Sequence, residues 1–295
     1  MKEITDIERN SEIIKDYIKK YGFMAEHKFE YFKALNDEGN PTFVYEDDFG
    51  VLCFTKKNKV KSLVEPLTKQ DNIIQSLEKF IDYFLNIKKF DKVILETRHE
   101  IRQELIKKSN FRILKESYQL TWPVFIMKNF DENLSGIKWK KMRNFKNKFF
   151  KLYNPEVDNF KESDKEELKK LILTWKSKRT AHDRTDYKRY LNFIDNNFKG
   201  FEMVKVIRVN NKSVSVFGGW RIPNSNTYFS CIGIYDYDYE NIGEVSNILD
   251  LTFIKKLNVE KADFGGGEES LTNFKKKFFP DEFYVTDIYS VMKNN

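Results

Sequence analysis

The sequence predicts an α/β (α+β) fold built from two similar units in tandem, each a mixed, mostly antiparallel sheet flanked by helices. Three observations predict it. Strand-like and helix-like stretches alternate along all 295 residues, and their order in the first half returns in the second. The tails of the halves also align without gaps, FDKVILETRHEIRQELIKKS (90–109) over VEKADFGGGEESLTNFKKKF (259–278). Leu95 then falls on Phe264 and Leu105 on Phe274, so apolar positions coincide although identity is low.

In chain order, residues 11–36 read as helical: Ile13, Ile14, Tyr17, Ile18 and Tyr21 recur at helical spacing, with Ser11 as N-cap and Gly22 as a stop. The alternating stretch PTFVYEDDFGVLCFTKKNKVKSLVEPL predicts two or three strands. IIQSLEKFIDYFLNIKKF is an amphipathic helix, DKVILET a strand, EIRQELIKKSN a helix and ESYQLTWPVFIM a strand. In the second half Ser163 and Glu166 form a capping-box pattern before Leu168, Leu171, Ile172 and Trp175. A helix through Tyr187, Tyr190, Leu191 and Ile194 follows, then strands in MVKVIRV, SVSVFGGWRI and TYFSCIGIY. The helix EVSNILDLTFIKKL, the strand KADF, the helix ESLTNFKKKF and the strand FYVTDIYSVM close the chain. The expected organisation is a first unit over 1–130, a connecting segment over 131–154 and a second unit over 155–295.

With 40% hydrophobic residues, 27 Phe and 15 Tyr, the chain has the material for an aromatic-rich core. Cys53 and Cys231 each lie in a strand-like run, where buried, reduced thiols are expected. The three His are isolated and no metal-ligand spacing occurs, so no metal site is expected; His182 reads as a surface residue between helices. No run approaches about eighteen apolar residues. The start MKEITDIERNSEIIKDY is too charged for a signal peptide, and a cytoplasmic protein without a transmembrane segment is expected.

The formal net charge of +7 favours a polyanionic partner, but lysine-rich composition alone is weak evidence, so its placement matters more. Seven basic residues from Lys138 to Lys151 occur without one acid, around the helical stripe Trp139, Met142, Phe145 and Phe149. Lys138, Lys141, Arg143, Lys146 and Lys148 are the candidates for tracking nucleic-acid phosphates; the alternative is a solvated connecting helix. Peripheral contact with an acidic membrane fits the same charge.

DFGGGEES holds three consecutive glycines in a chain with twelve, where backbone must come close to something. Its counterpart in the first half is Glu96-Thr97-Arg98, so the second half carries the specialisation and the expected site. DFG matches a protein kinase's metal-binding loop, but no G-x-G-x-x-G turn or H-R-D loop precedes it. G-x-x-x-x-G-K-[ST] and G-x-S-x-G are absent as well.

A strand ending in DFGG, a short loop, then Phe274-Lys275-Lys276-Lys277-Phe278 and a closing strand resembles the C-terminal signature of FemAB-type transferases. These are tandem units of the GNAT (Gcn5-related N-acetyltransferase) fold, similar to lipid-lysyltransferase-type domains, and they carry a basic segment between units that WKKMRNFKNKFF matches. The match at motif level covers 138–150 and 261–280. Two departures stand out. Phe279-Pro280 replaces a glycine usual after F-K-x-x-F, and the Arg/Gln-x-x-Gly-x-Gly/Ala pyrophosphate loop of acetyl-CoA users is missing. In that slot, YDYDYENIGEVSNIL offers only Gly243, with Asp236, Asp238, Glu240 and Glu244 expected to repel a pyrophosphate.

The resemblance implies transfer of an aminoacyl group from aminoacyl-tRNA, without a tightly bound cofactor, to an amine or hydroxyl acceptor. It makes Lys275 the stabiliser of developing negative charge. The Gly265, Gly266 and Gly267 amides and Phe274 become substrate-binding candidates, and Asp263 and Tyr289 candidate proton acceptors. One alternative keeps the fold with an acyl-CoA donor in the splay between TYFSCIGIY and KADF; another is a non-catalytic binding module. The alternating Tyr235–Tyr239 run offers either an acidic face for a cationic amine or a solvent-exposed strand tip.

Overall fold

The computed structural model describes residues 2–4, 7–36, 41–179 and 184–294, so His182 lies outside the described residues. The first half contains β1 (Lys2–Ile4), α1 (Ser11–Tyr21), α2 (Phe29–Ala34), β2 (Thr42–Glu46), β3 (Val51–Lys56) and β4 (Val60–Ser62). It continues with α3 (Ile73–Asp82), β5 (Val93–Arg98), α4 (His99–Lys108) and β6 (Arg112–Ile126). Helix α5 (Lys140–Tyr153) connects to β7 (Glu156–Asn159), α6 (Lys165–Ser177), α7 (Lys188–Asp195), β8 (Met203–Val209), β9 (Lys212–Arg221) and β10 (Thr227–Tyr235). The second half ends in α8 (Ile242–Lys255), β11 (Lys261–Asp263), α9 (Glu269–Lys276) and β12 (Glu282–Met292).

The aligned tails fall on matching structure, a parallel strand running into a helix: β5–α4 in one half and β11–α9 in the other. Three local expectations change. The 11–36 helix breaks at Gly22, whose amide closes α1 on the Ile18 carbonyl, and residues 22–28 form a connection to α2. Before α6 the capping side chain is Asp164 rather than Ser163. Its carboxylate takes the Lys161 N–H at 2.7 Å and also binds Arg208, a partner that only tertiary structure supplies. The short edge strands β1 and β7 have too few residues for a periodic signal.

Among the described residues twelve strands form one sheet, ordered β1-β2-β3-β4-β5-β12-β6-β11-β10-β9-β8-β7. Its centre is an exchange between the sequence halves. β12, the last strand of the second half, pairs with β5 and β6, while β6, the last strand of the first, pairs with β11. Each half therefore finishes its sheet with a strand from the other.

One core packs α1, α2, α6 and α7 on the first face of the sheet and spans both halves, with Val44, Val206, Trp220 and Trp122 among its members. The opposite face has two cores, α3 and α4 over Tyr45, Phe54 and Leu95, and α5 with α8 over Phe125, Tyr228 and Ala262. Cys53 and Cys231 are buried and unpaired. Among the described residues no helix is long and apolar enough to cross a membrane.

Candidate active site at the gap between β10 and β11

β10 and β11 run parallel only from Thr227↔Lys261 to Phe229↔Asp263, and β10 is irregular between Ser230 and Ile232. Beyond Asp263 the strands part. Register puts Asp263, Phe229, Trp122 and Tyr284 on the first face of the sheet: Phe229 lies opposite Asp263, Tyr284 opposite Trp122, and Asp263 opposite Val124, two residues from Trp122.

Lys275 enters this gap from α9. Its side chain is buried, and Nζ donates to the Phe264 carbonyl and, at 2.9 Å, to the Gly265 carbonyl. An ammonium has three protons, so one remains for a further acceptor. Burial lowers the Lys275 pKa to about 8, with Asp263 pulling the other way. Asp263, itself buried, accepts the Gly265 N–H at 2.8 Å and the Tyr284 hydroxyl at 2.7 Å. Burial raises its pKa to about 6, against the pull of Tyr284, the Gly265 amide and Lys275.

This pair sets a pH dependence of stability. Asp263 sits at about 6 against an ordinary 3.8, so between these values the folded state holds the extra proton and stability falls as pH rises. Lys275 sits at about 8 against an ordinary 10.5, so above about 8 the unfolded state holds the extra proton and stability rises with pH. The charged pair is least favourable to folding between about pH 6 and 8. The Tm of the wild-type protein, minus that of an Asp263→Asn/Lys275→Met variant, should pass through a minimum in that window; a flat difference would refute both shifts.

The glycine triplet serves a different purpose from the expected one. Gly265 has φ +74°, which brings its carbonyl to Lys275, and a Cβ at Gly266 would lie 2.6 Å from the Trp122 ring. The Gly265 N–H is taken by Asp263, and Gly267 exchanges backbone hydrogen bonds with Thr121 of β6. The close approach is thus to β6, and the turn presents carbonyls to an ammonium rather than these two amides to an oxyanion.

Of the other expected site residues, Tyr289 and Phe274 do not join this cluster. Tyr289 is fully buried in the first-half core, where its hydroxyl lies 3.2 Å from Thr97 Oγ1 and its ring under Arg102. Tyr284, five residues earlier on β12, occupies the place expected for it. Phe274 packs on Phe278 at 5.5 Å, under the helix rather than in the gap. In the first half the equivalent position is filled with charge: Arg98, the counterpart of Gly267, grips the buried Glu65 with Nε and Nη2.

Trp139, just before α5, and Met142 and Phe149 on it are buried as the stripe predicts. Lys138 lies over Trp139 and Phe279, Lys141 over Phe145, and Lys148 pairs with Glu240 at 2.7 Å. Lys146 is half-buried. Arg143 turns back onto the carbonyls of Leu134 and Gly136 and staples the preceding loop, so it does not present its charge outward. Phe279, where the resembled family has glycine, adopts φ +59°; its ring packs edge-on against Trp139 at 5.0 Å, which offsets the strain.

Each acid at the start of α8 has a lysine, which offsets the charge expected to repel a pyrophosphate. Lys178 and Lys212 bind Asp236, Lys178 binds Asp238, Lys148 binds Glu240 and Lys277 binds Glu244. In the first turn of α8 the Tyr235 ring lies against Gly243, 2.8 Å from where a Cβ there would stand. Asp236 is buried and the exposed Asp238 pairs with Lys178 at 2.7 Å, so both acids inside the Tyr235–Tyr239 run are neutralised.

No known protein family matches the sequence of this chain, and no curated protein does. Solved structures resemble it in three dimensions. L-PGS from Bacillus licheniformis superposes with a TM-score of 0.70 at 14% identity, over 99% of this chain and 93% of its own. FemX gives 0.61 at 9% identity, over 97% of each chain. A tandem GNAT protein from the clavulanic acid biosynthesis pathway gives 0.60 at 6% identity, over 100% of this chain and 99% of that one. At such identities the likeness establishes the fold: this chain has the tandem GNAT architecture that its sequence resemblance implied.

Proposed function

We propose that this tandem GNAT-fold protein is an acyltransferase that moves an aminoacyl group from aminoacyl-tRNA to an amine or hydroxyl. The observation that carries the reading is the Lys275 ammonium, buried at the parting of β10 and β11 with one proton uncommitted. The acceptor attacks the ester carbonyl, and the new oxyanion takes the third Lys275 proton. Asp263, poised near neutrality, receives the proton of the attacking group and returns one to the departing ribose oxygen. Tyr284 holds the Asp263 carboxylate in place.

The second unit supplies this chemistry, and the first supplies β6, whose Trp122 walls the gap. An aminoacyl-tRNA donor is favoured over acyl-CoA because the chain lacks the pyrophosphate-loop motif before α8 and the Tyr235 ring lies against Gly243, the one glycine in that slot. The lysines of α5 would carry the tRNA acceptor stem. Gentle purification followed by mass spectrometry tests the donor: copurifying tRNA supports the reading, and copurifying CoA overturns it. Charge reversal at Lys138, Lys141 and Lys146 should weaken tRNA binding and reduce the slope of log K against log salt by about 0.7–0.9 per lost phosphate contact. An unchanged slope would remove the helix from the interface.

A further inference from the structure

The connection between α1 and α2 is tied down at almost every residue. Asn224 donates to the Gly22 carbonyl at 2.9 Å, and Trp220 Nε1 to the Ala25 carbonyl at 2.9 Å. His27 Nδ1 accepts the amides of Phe23 and Met24, which leaves Nε2–H to donate to the Glu65 carbonyl at 3.0 Å. In the middle of this fixed loop Glu26 is only 8% exposed, yet its carboxylate has no hydrogen-bond or ion-pair partner from another residue among those described. A loose surface loop would turn such a group to water; this one holds it inside.

Glu26 looks onto the first face of the sheet, where the charges acting on it are Glu96, Arg189 and Asp263. Burial raises its pKa most, the charge of Glu96 adds to that, and Asp263 contributes in the same direction. Those two carboxyls already have partners, Lys61 at 3.6 Å from Glu96 and the Tyr284 hydroxyl on Asp263. Arg189 pulls the other way; its Nη1 and Nη2 donate at 3.0 Å to the Tyr31 and Tyr190 hydroxyls, while its Nε is buried without a hydrogen-bond partner among the described residues. Of these three carboxyls, Glu26 alone has no partner from another described residue; its own backbone N–H is the one hydrogen bond it takes. Among the described residues no three His, Cys, Asp or Glu side chains converge as metal ligands, which favours an organic cation over a metal ion.

We propose that Glu26 receives the acceptor amine as its ammonium, on the first face of the sheet beside Asp263, and takes one proton from it, leaving a neutral nitrogen whose second proton passes to Asp263 on attack. The acceptor role rests on the acyl-transfer reading; the ammonium site does not. Preorganisation by the tied loop accounts for a carboxylate that costs stability in the empty protein and binds its partner without rearrangement.

The test is calorimetric titration of the whole protein with n-pentylamine, with alaninamide as a mimic of an aminoacyl end, and with 1-pentanol as a neutral control. Pentylamine should bind saturably and most tightly, pentanol should not, and Glu26→Gln should weaken binding at least about tenfold. The Tm of Glu26→Gln should equal or exceed that of the wild-type protein, because the variant removes a buried unpaired acid. Binding unaffected by Glu26→Gln, no binding of either amine, or a Tm lowered by several degrees would overturn the site. Tighter binding of alaninamide than of pentylamine would assign it to the donor and overturn the acceptor role. Lys275→Ala separates this claim from the reaction: it should keep amine affinity within about threefold. Lys275-dependent transfer without amine binding sinks this inference alone. Glu26-dependent binding with transfer indifferent to Lys275 sinks only the mechanism.

Discussion

Lys275→Ala is expected to lower turnover with a defined aminoacyl donor by about two to three orders of magnitude, the usual effect of removing one oxyanion donor. The loss should appear equally in kcat and kcat/KM, because the third ammonium proton finds its acceptor only when the carbonyl oxygen becomes negative. The folded state should survive. Truncation orphans the Phe264 and Gly265 carbonyls, but it also relieves the burial of an ammonium held at a pKa of about 8. Lys275→Arg should not rescue activity, since a planar fork cannot meet two backbone carbonyls and an oxyanion around one nitrogen. Turnover unchanged in Lys275→Ala would end the assignment.

Trp122→Ala is expected to cost about 3–5 kcal/mol, in the range of large aromatic truncations in cores. In a chain of this size that corresponds to a Tm lower by on the order of 10 °C. Trp122 is 2% exposed, stacks on Tyr284 at 5.3 Å and an interplanar angle of 13°, and lies 6.2 Å from Phe229. Its Nε1–H binds Thr286 Oγ1 at 3.0 Å, and its ring fills the space that Gly266 leaves open. Because the indole belongs to the first sequence half and the groups it supports to the second, loss of activity should accompany loss of stability. Urea denaturation reads the effect; a change under about 1 kcal/mol would mean the cavity collapses and the ring is no wall of the site.

Much of this molecule was legible in its residues. Period 3.6 in Ile74, Leu77, Phe80 and Ile81 and alternation in Val93, Leu95 and Thr97 report local burial, and both faces fall where the pattern puts them. The glycine turn was legible because the chain repeats itself, and the repeat shows what one half has and the other lacks. Lys275 was legible from its place in Phe274-Lys275-Lys276-Lys277-Phe278, the stretch that carries the family resemblance. Strand partners were not legible. Thr97 meets Tyr289 across 192 residues, and nothing local to FYVTDIYSVM tells that Tyr284 faces Asp263 while Tyr289 faces the first-half core. A register shift between Ile288 and Tyr289 separates their surroundings further. Glu26 was hidden for the same reason. In GFMAEHKFE it looks like any surface acid, and its burial comes from ties to Asn224, Trp220 and Glu65 far along the chain.

The exchanged strands also set a timetable for the protein's making. As the chain emerges from the ribosome, β2 to β5 have the contacts to form early, but the β5 edge has no neighbour until β12 has been made. Until then Val93 and Leu95 border an open row of amides and carbonyls, a surface that invites wrong pairing. Contacts of such sequence separation slow folding as well. The seam that joins the two halves is therefore the last part of the sheet to close, and the nascent chain needs protection for longest there.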